Sequence, residues 1–146
     1  MGGMKPSSVG VAGVLARLSR GASQPGIVSA YLFGSHASGR PHRESDVDVG
    51  VLLDWEVYQS RPARFDARIR LASELSGRPG RSDVDVVILN DAPPLLARRI
   101  VMEGRRILCL DAEADHAFRR DIQLRAADVA PFLRRMARLK LAAIQR

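Results

Sequence analysis

The chain has 146 residues, 46% of them apolar and 27% charged, a balance that suits one globular unit with a buried core and excludes a low-complexity or disordered chain. No apolar run approaches the roughly 20 residues of a membrane-spanning helix, and the single cysteine, Cys109 in "RILCL", excludes an intrachain disulfide framework or a cysteine-based zinc site. The net charge of +7, carried almost wholly by arginine, favours anionic partners, but the arginines are dispersed as pairs with few aromatics between them, so direct nucleic-acid binding is not expected.

The opening stretch "MGGMKPSSVG" has one lysine and no long apolar core after it, so it does not read as a secretory signal. Met1 and Met4 are both eligible starts, and the cytoplasm is the expected location. Residues 8–20 carry Val9, Val11, Val14, Leu15 and Leu18 at helical spacing, weakened by Gly10 and Gly13. "GASQPG" reads as a turn, and "IVSAYLF" (27–33) as a strand by its β-branched and aromatic content. After Gly34-Ser35, residues 36–45 read as loop. "DVDVGVLL" (46–53) is a second strand, with Val47, Val49, Val51 and Leu53 on one face and Asp46, Asp48, Gly50 and Leu52 on the other.

Residues 61–76 predict a helix with Phe65, Ile69, Leu71, Ala72 and Leu75 inward, stopped by "GRPG". "DVDVVILN" (83–90) is a third strand. "PPLLARRIVMEG" (93–104) is a helix entered by proline and left at Gly104. "RRILCL" is a short fourth strand, and from Ala112 the pattern is helical to the end, with a break or restart at Pro131. Strands alternating with helices in a short chain give an α/β or α+β fold with a small sheet, in one domain over 1–146.

Two strands of this set begin with paired aspartates. Side chains at i and i+2 of a strand project from one face, about 6.5 to 7 Å apart along the backbone, so Asp46 and Asp48 can converge on a hard cation. Asp83 and Asp85 repeat the pattern and suit a neighbouring strand. Gly34 permits a tight turn and close backbone approach, and Ser35 adds a hydroxyl and an N–H that phosphate oxygens accept from. Donors for phosphates are thus followed by acceptors for the metals that phosphates bridge.

The spacing G-S-x10-D-x-D, in the context "LFGSHASG … SDVDVGVLL" with "VDVVILN" in support, resembles the nucleotidyltransferase superfamily related to DNA polymerase beta, in its minimal form. The resemblance covers about residues 25–110 and implies a small mixed β-sheet flanked by helices, with a C-terminal helical segment over about 112–146. It implies that Gly34 and Ser35 bind the phosphates of ATP, that Asp46 and Asp48 hold two magnesium ions, and that a third carboxylate completes the metal site and helps deprotonate an acceptor hydroxyl. Both Asp83 and Asp85 are eligible for that third place; the family pattern, an aspartate followed at once by apolar strand residues, favours Asp85. Ser38 stands where many members have an arginine, which leaves Arg40 and Arg43 as the loop cations available.

The tail, with "EGRRILCLD" followed by a helix bearing Phe118 and Asp128, is similar to MntA-type antitoxins of HEPN/MNT toxin–antitoxin pairs. That likeness implies a cognate HEPN-type RNase toxin as partner and transfer of AMP from ATP to a tyrosine of it. A small-molecule nucleotidyltransferase and a binding-only antitoxin are the competing readings. The first needs an acceptor pocket from a further domain or a dimer; the intact Asp46, Asp48 and Asp85 argue against the second. The apolar stripe Phe132, Leu133, Met136, Leu139 and Ile144 either packs on the sheet or meets a partner. Tyr31, Trp55 and Tyr58 read as core or rim aromatics, and Asp54, Asp66 and Asp91 as surface charges.

Overall fold

The computed structural model describes residues 10–21, 25–34, 47–77 and 83–144. Along the described chain run α1 (Val11–Gly21), β1 (Ile27–Phe33), β2 (Val47–Leu53), α2 (Arg61–Ser76), β3 (Val84–Ile88), α3 (Pro94–Glu103), β4 (Arg105–Cys109) and α4 (Ala112–Ile144). The sheet has the order β3-β2-β1-β4. β1 pairs antiparallel with both β2 and β4, and β2 pairs parallel with β3. It is the small mixed sheet flanked by helices that the sequence leads one to expect. Inner strand β1 is buried on both faces, which is why it is a continuous apolar run rather than an alternating one.

Alternation along the strands divides the core in two. Val47, Val49, Val51 and Leu53 of β2 and Val84, Val86 and Ile88 of β3 pack with Val14 and Leu18 of α1 and Ala67, Leu71 and Leu75 of α2. Tyr31 and Leu52 face the other way, onto Ala97, Ile100 and Val101 of α3 and Phe118 and Ile122 of α4. Gly50 makes the second layer possible: a Cβ there would stand 2.8 Å from Ile100 Cγ2 and 3.2 Å from Leu89 Cδ2, so α3 rests directly on the backbone of β2.

Three sequence expectations change. The inward face of α2 is not the Phe65–Ile69 row, since both side chains are 56% exposed. The buried positions are Arg64, Ala67, Leu71 and Leu75, one helical position round from that row. Arg64 is tolerated inside because each of its three guanidinium nitrogens donates a hydrogen bond. It donates to both carboxylate oxygens of Asp91 at 2.8 and 3.0 Å and to the Tyr58 carbonyl at 2.9 Å, and it stacks 4.9 Å over the Trp55 ring. The hydrogen bonds that Arg64 donates to Asp91 raise its already high pKa, and Asp91 is half-buried as its partner rather than a bare surface charge. Finally, α4 does not break at Pro131 but runs through it. Pro131 is exposed, so water can satisfy the carbonyl that loses its partner there.

Candidate functional site

β1 ends where β2 and β3 begin, and the carboxylates gather at that end. Phe33 stands opposite Asp48 in the antiparallel ladder, and Gly34 turns the chain immediately after it. Gly34 has φ +76°, a left-handed conformation that glycine adopts at low cost. A Cβ at this position would collide with Oδ2 of Asp48. The turn therefore brings bare backbone directly against the carboxylate of Asp48.

Asp48 and Asp85 are Cα partners across the parallel β2–β3 ladder, and each follows a residue that faces the α1–α2 layer, so both point to the α3–α4 side. Neighbouring strands lie about 4.8 Å apart, close enough for two carboxylates to share a cation. Asp48 is half-buried and Asp85 exposed. Asp83 precedes β3; its carbonyl accepts from Val47 N–H at 3.0 Å, and its Oδ2 is buried with no hydrogen-bond partner among the described residues. Asp83, just before β3, has an orphaned carboxylate oxygen, and Asp85 two residues on is exposed; these are hard oxygen donors of the kind a divalent cation takes. Among the described residues no three His, Cys, Asp or Glu side chains close a metal site by themselves. Ser35 and Asp46, the other two residues expected at the site, lie outside the described residues.

The register that sets Asp85 beside Asp48 is held at both ends. At one end is the Val47–Asp83 hydrogen bond. At the other, the Asn90 side chain imitates a strand: Leu53 N–H donates to its Oδ1 at 2.9 Å, and its Nδ2 donates to the Leu53 carbonyl at 2.8 Å. A slip of two residues would bring Asp83 level with Asp48 instead. Asn90 had no visible role in the sequence, where it reads only as the polar end of a strand.

The same face carries a further carboxylate that the sequence did not single out. Asp115 of α4 is 1% exposed and accepts hydrogen bonds from Ser29 Oγ (2.6 Å), Tyr31 Oη (2.5 Å) and Arg106 Nη1 (2.9 Å). Burial pushes its pKa up, but these three donors outweigh burial and hold it below the ordinary value. The same burial, with the hydrogen bond to Asp115, pushes Tyr31 up to about 12 despite a 3.4 Å bond from Arg119. The hydrogen bond to Asp115 raises Arg106 as well. The cluster ties α4 to β1 and β4 and fixes the helix layer behind the site. Trp55 lies past the opposite end of β2, remote from Asp48, and belongs to the rim around Arg64.

The family model for polymerase beta nucleotidyltransferases matches residues 20–113. The chain belongs to this family. Every described strand of the nucleotidyltransferase sheet lies within the matched stretch, with Gly34, Asp48 and Asp85. The chain is 36% identical over 83 residues to the protein adenylyltransferase MntA of Shewanella oneidensis. That stretch is 57% of this chain and 55% of MntA, so the match spans about half of the curated relative's length. In solved structures it is similar to a chain of a toxin–antitoxin complex with AMP-PNP, at 27% identity and a TM-score of 0.59, covering 86% of this chain and 97% of that one. A mutant form of a toxin–antitoxin pair containing MntA is similar at 27% identity and a TM-score of 0.57, covering 88% and 98%. A nucleotidyltransferase of this family takes a nucleotide substrate and typically a divalent metal. Among the described residues no helix is long and apolar enough to cross a membrane.

Proposed function

We propose that this chain is an antitoxin of the cytoplasm that transfers AMP from ATP to a tyrosine of a HEPN-type RNase toxin and thereby silences it. The observation that carries the reading is the meeting of Gly34, Asp48 and Asp85 at one end of the sheet, in a chain similar to a protein adenylyltransferase. Asp46, Asp48 and Asp85 would hold two magnesium ions. Bound there, magnesium supplies positive charge that neutralises the triphosphate and makes the acceptor hydroxyl more acidic.

The chain's own residues do the rest. Backbone N–H groups around Gly34 and Ser35 orient the phosphates by donating to their oxygens. Asp85, the more exposed of the two paired carboxylates, accepts the proton of the tyrosine hydroxyl. The tyrosine oxygen forms a bond to the α-phosphorus as the bond from that phosphorus to the bridging oxygen breaks, and diphosphate leaves with the electron pair. The added phosphodiester places a negative charge on the toxin surface, which opposes RNA binding.

Intact mass of the toxin after incubation with ATP and magnesium tests this. The wild-type chain should add one adenylyl mass per modified site, and Asp48→Ala should lower the rate at least about 1,000-fold. An unmodified toxin that both proteins nevertheless neutralise would establish a binding-only antitoxin. An unmodified and unbound toxin would leave small-molecule transfer.

A further inference from the structure

Helix α4 has the sheet beneath only its first half. Its buried positions, Asp115, Phe118, Ile122 and Ala126, recur every three or four residues and so form one line along the helix. Continued at the same step, that line passes through Val129, Leu133, Met136, Lys140 and Ile144. From Pro131 to Ile144 every residue is exposed. Leu133 is 43% exposed, Met136 42% and Ile144 78%, with Phe132 and Leu139 beside them at 59% each. The core-facing stripe thus runs on past the core, where a merely solvated tail would be polar all round. At 1.5 Å per residue, the stretch from 127 to 144 presents roughly 27 Å of helix. Pro131 stands where the helix leaves the sheet and leaves that joint one hydrogen bond short.

The charge on this arm selects what covers it. Residues 127–144 carry Arg134, Arg135, Arg138 and Lys140 against one carboxylate, Asp128. Lys140 lies on the apolar line itself, and Arg135 borders it one turn before Leu139. A second copy would bring the same cations against these, in a chain whose net charge is already +7. An apolar cleft rimmed by carboxylates satisfies the stripe and its cations together.

We propose that residues 127–144 are the docking helix for the protein substrate, seated in an apolar, acid-rimmed cleft of that partner. The proposal rests on the protein-adenylyltransferase reading above and adds to it the surface that recognises the substrate. Anchoring the partner on the arm makes delivery of its hydroxyl to the site an intramolecular event.

The test uses the 146-residue chain, with a cognate HEPN-type protein as the probe. The double variant Leu133→Asp/Met136→Asp changes two exposed positions, so its melting temperature and its binding of ATP with magnesium should match wild type. Its affinity for the probe, measured by calorimetry, should fall about 100-fold or more. Adenylyl transfer should show the same loss in KM for the probe, with kcat recovered at saturation. Ile69→Asp, a comparably exposed apolar position on α2, should bind like wild type. Unchanged affinity in the double variant overturns the docking helix and leaves the transferase reading standing. Binding that the double variant abolishes, without any transfer by wild type, supports the docking helix and overturns the transferase reading. A wild type that does not bind the probe overturns the docking helix; self-association lost in the double variant would then identify a second copy as the occupant.

Discussion

Asp115 on α4 and Asp85 on β3 lie on the same side of one sheet, and the chain surrounds them differently. Asp115 is sealed from water and receives Ser29, Tyr31 and Arg106, so its charge is neutralised and its geometry fixed by the fold. Asp85 is exposed, and among the described residues no hydrogen bond or ion pair reaches its carboxylate; nearby, Asp83 keeps a buried oxygen without a partner. A carboxylate that holds a structure together brings its own donors. One that serves chemistry leaves its lone pairs for a cation that arrives with the substrate. On the reading proposed above, the contrast separates a structural acid, sealed in and fully partnered, from a reactive one, left open.

The largest effect that could break this comparison is on rate. Asp85→Asn should slow adenylyl transfer by about 100- to 10,000-fold, the range typical of a lost proton acceptor, with the melting temperature unchanged or raised. Asp83→Asn should cost much less. Single-turnover transfer by the two variants, side by side, decides the matter; the reverse order would make Asp83 the third carboxylate and turn its orphaned oxygen into a ligand.

Asp115→Ala should behave in the opposite manner. It strands Tyr31, Ser29 and Arg106 without their acceptor and should cost about 2 to 4 kcal/mol of stability in a denaturant titration, while transfer per folded molecule stays near wild type. Because the folded pKa of Asp115 lies below its usual 3.8, its contribution is full above that pH and is lost as pH falls through the folded value. The acid limb of the stability curve should therefore be shallower in the variant.

Tyr31→Phe sharpens the comparison from the donor side, with the smallest effect. It removes one of the three donors to Asp115 and should cost about 1 to 2 kcal/mol at neutral pH. Since the Tyr31 hydroxyl is raised from 10.0 to about 12, it contributes stability below pH 10 that is lost as pH rises toward 12. Thermal melts across that window should decline more steeply in wild type than in Tyr31→Phe.

Local pattern was enough to find what depends on neighbours in sequence. The strand 27–33 and the helix 61–76 coincide with β1 and α2, and period-2 alternation assigned Asp48 and Val49 to opposite faces. The Gly34 turn was legible because only a residue without a Cβ fits there. What failed depended on distant partners. Phe65 and Ile69 have the right spacing for a core face, but Arg64 takes the inward row because Asp91 and the Tyr58 carbonyl wait for it 27 and 6 residues away. The Asp115 cluster joins residues from positions 29, 31, 106 and 115, with no local signature at all. Pro131 read as a break because helix rules assume a helix whose surroundings cannot repair the missing bond. The pairing of Asp85 rather than Asp83 with Asp48 rests on the β2–β3 register, which Asn90 helps to set from the far end.

The chain has two tyrosines of its own, Tyr31 and Tyr58. On the proposed reading the chain labels phenols and must spare its own. Tyr31 does so by being wholly buried, with its hydroxyl proton committed to Asp115 and its pKa too high for easy activation. The Tyr58 oxygen is occupied as well, accepting from Arg70 Nη2 at 3.0 Å. Self-labelling at Tyr31 therefore requires the α4 layer to open, so an adenylylated Tyr31 peptide, found by mass spectrometry after prolonged incubation with ATP, would be a covalent record of how often the folded protein comes apart.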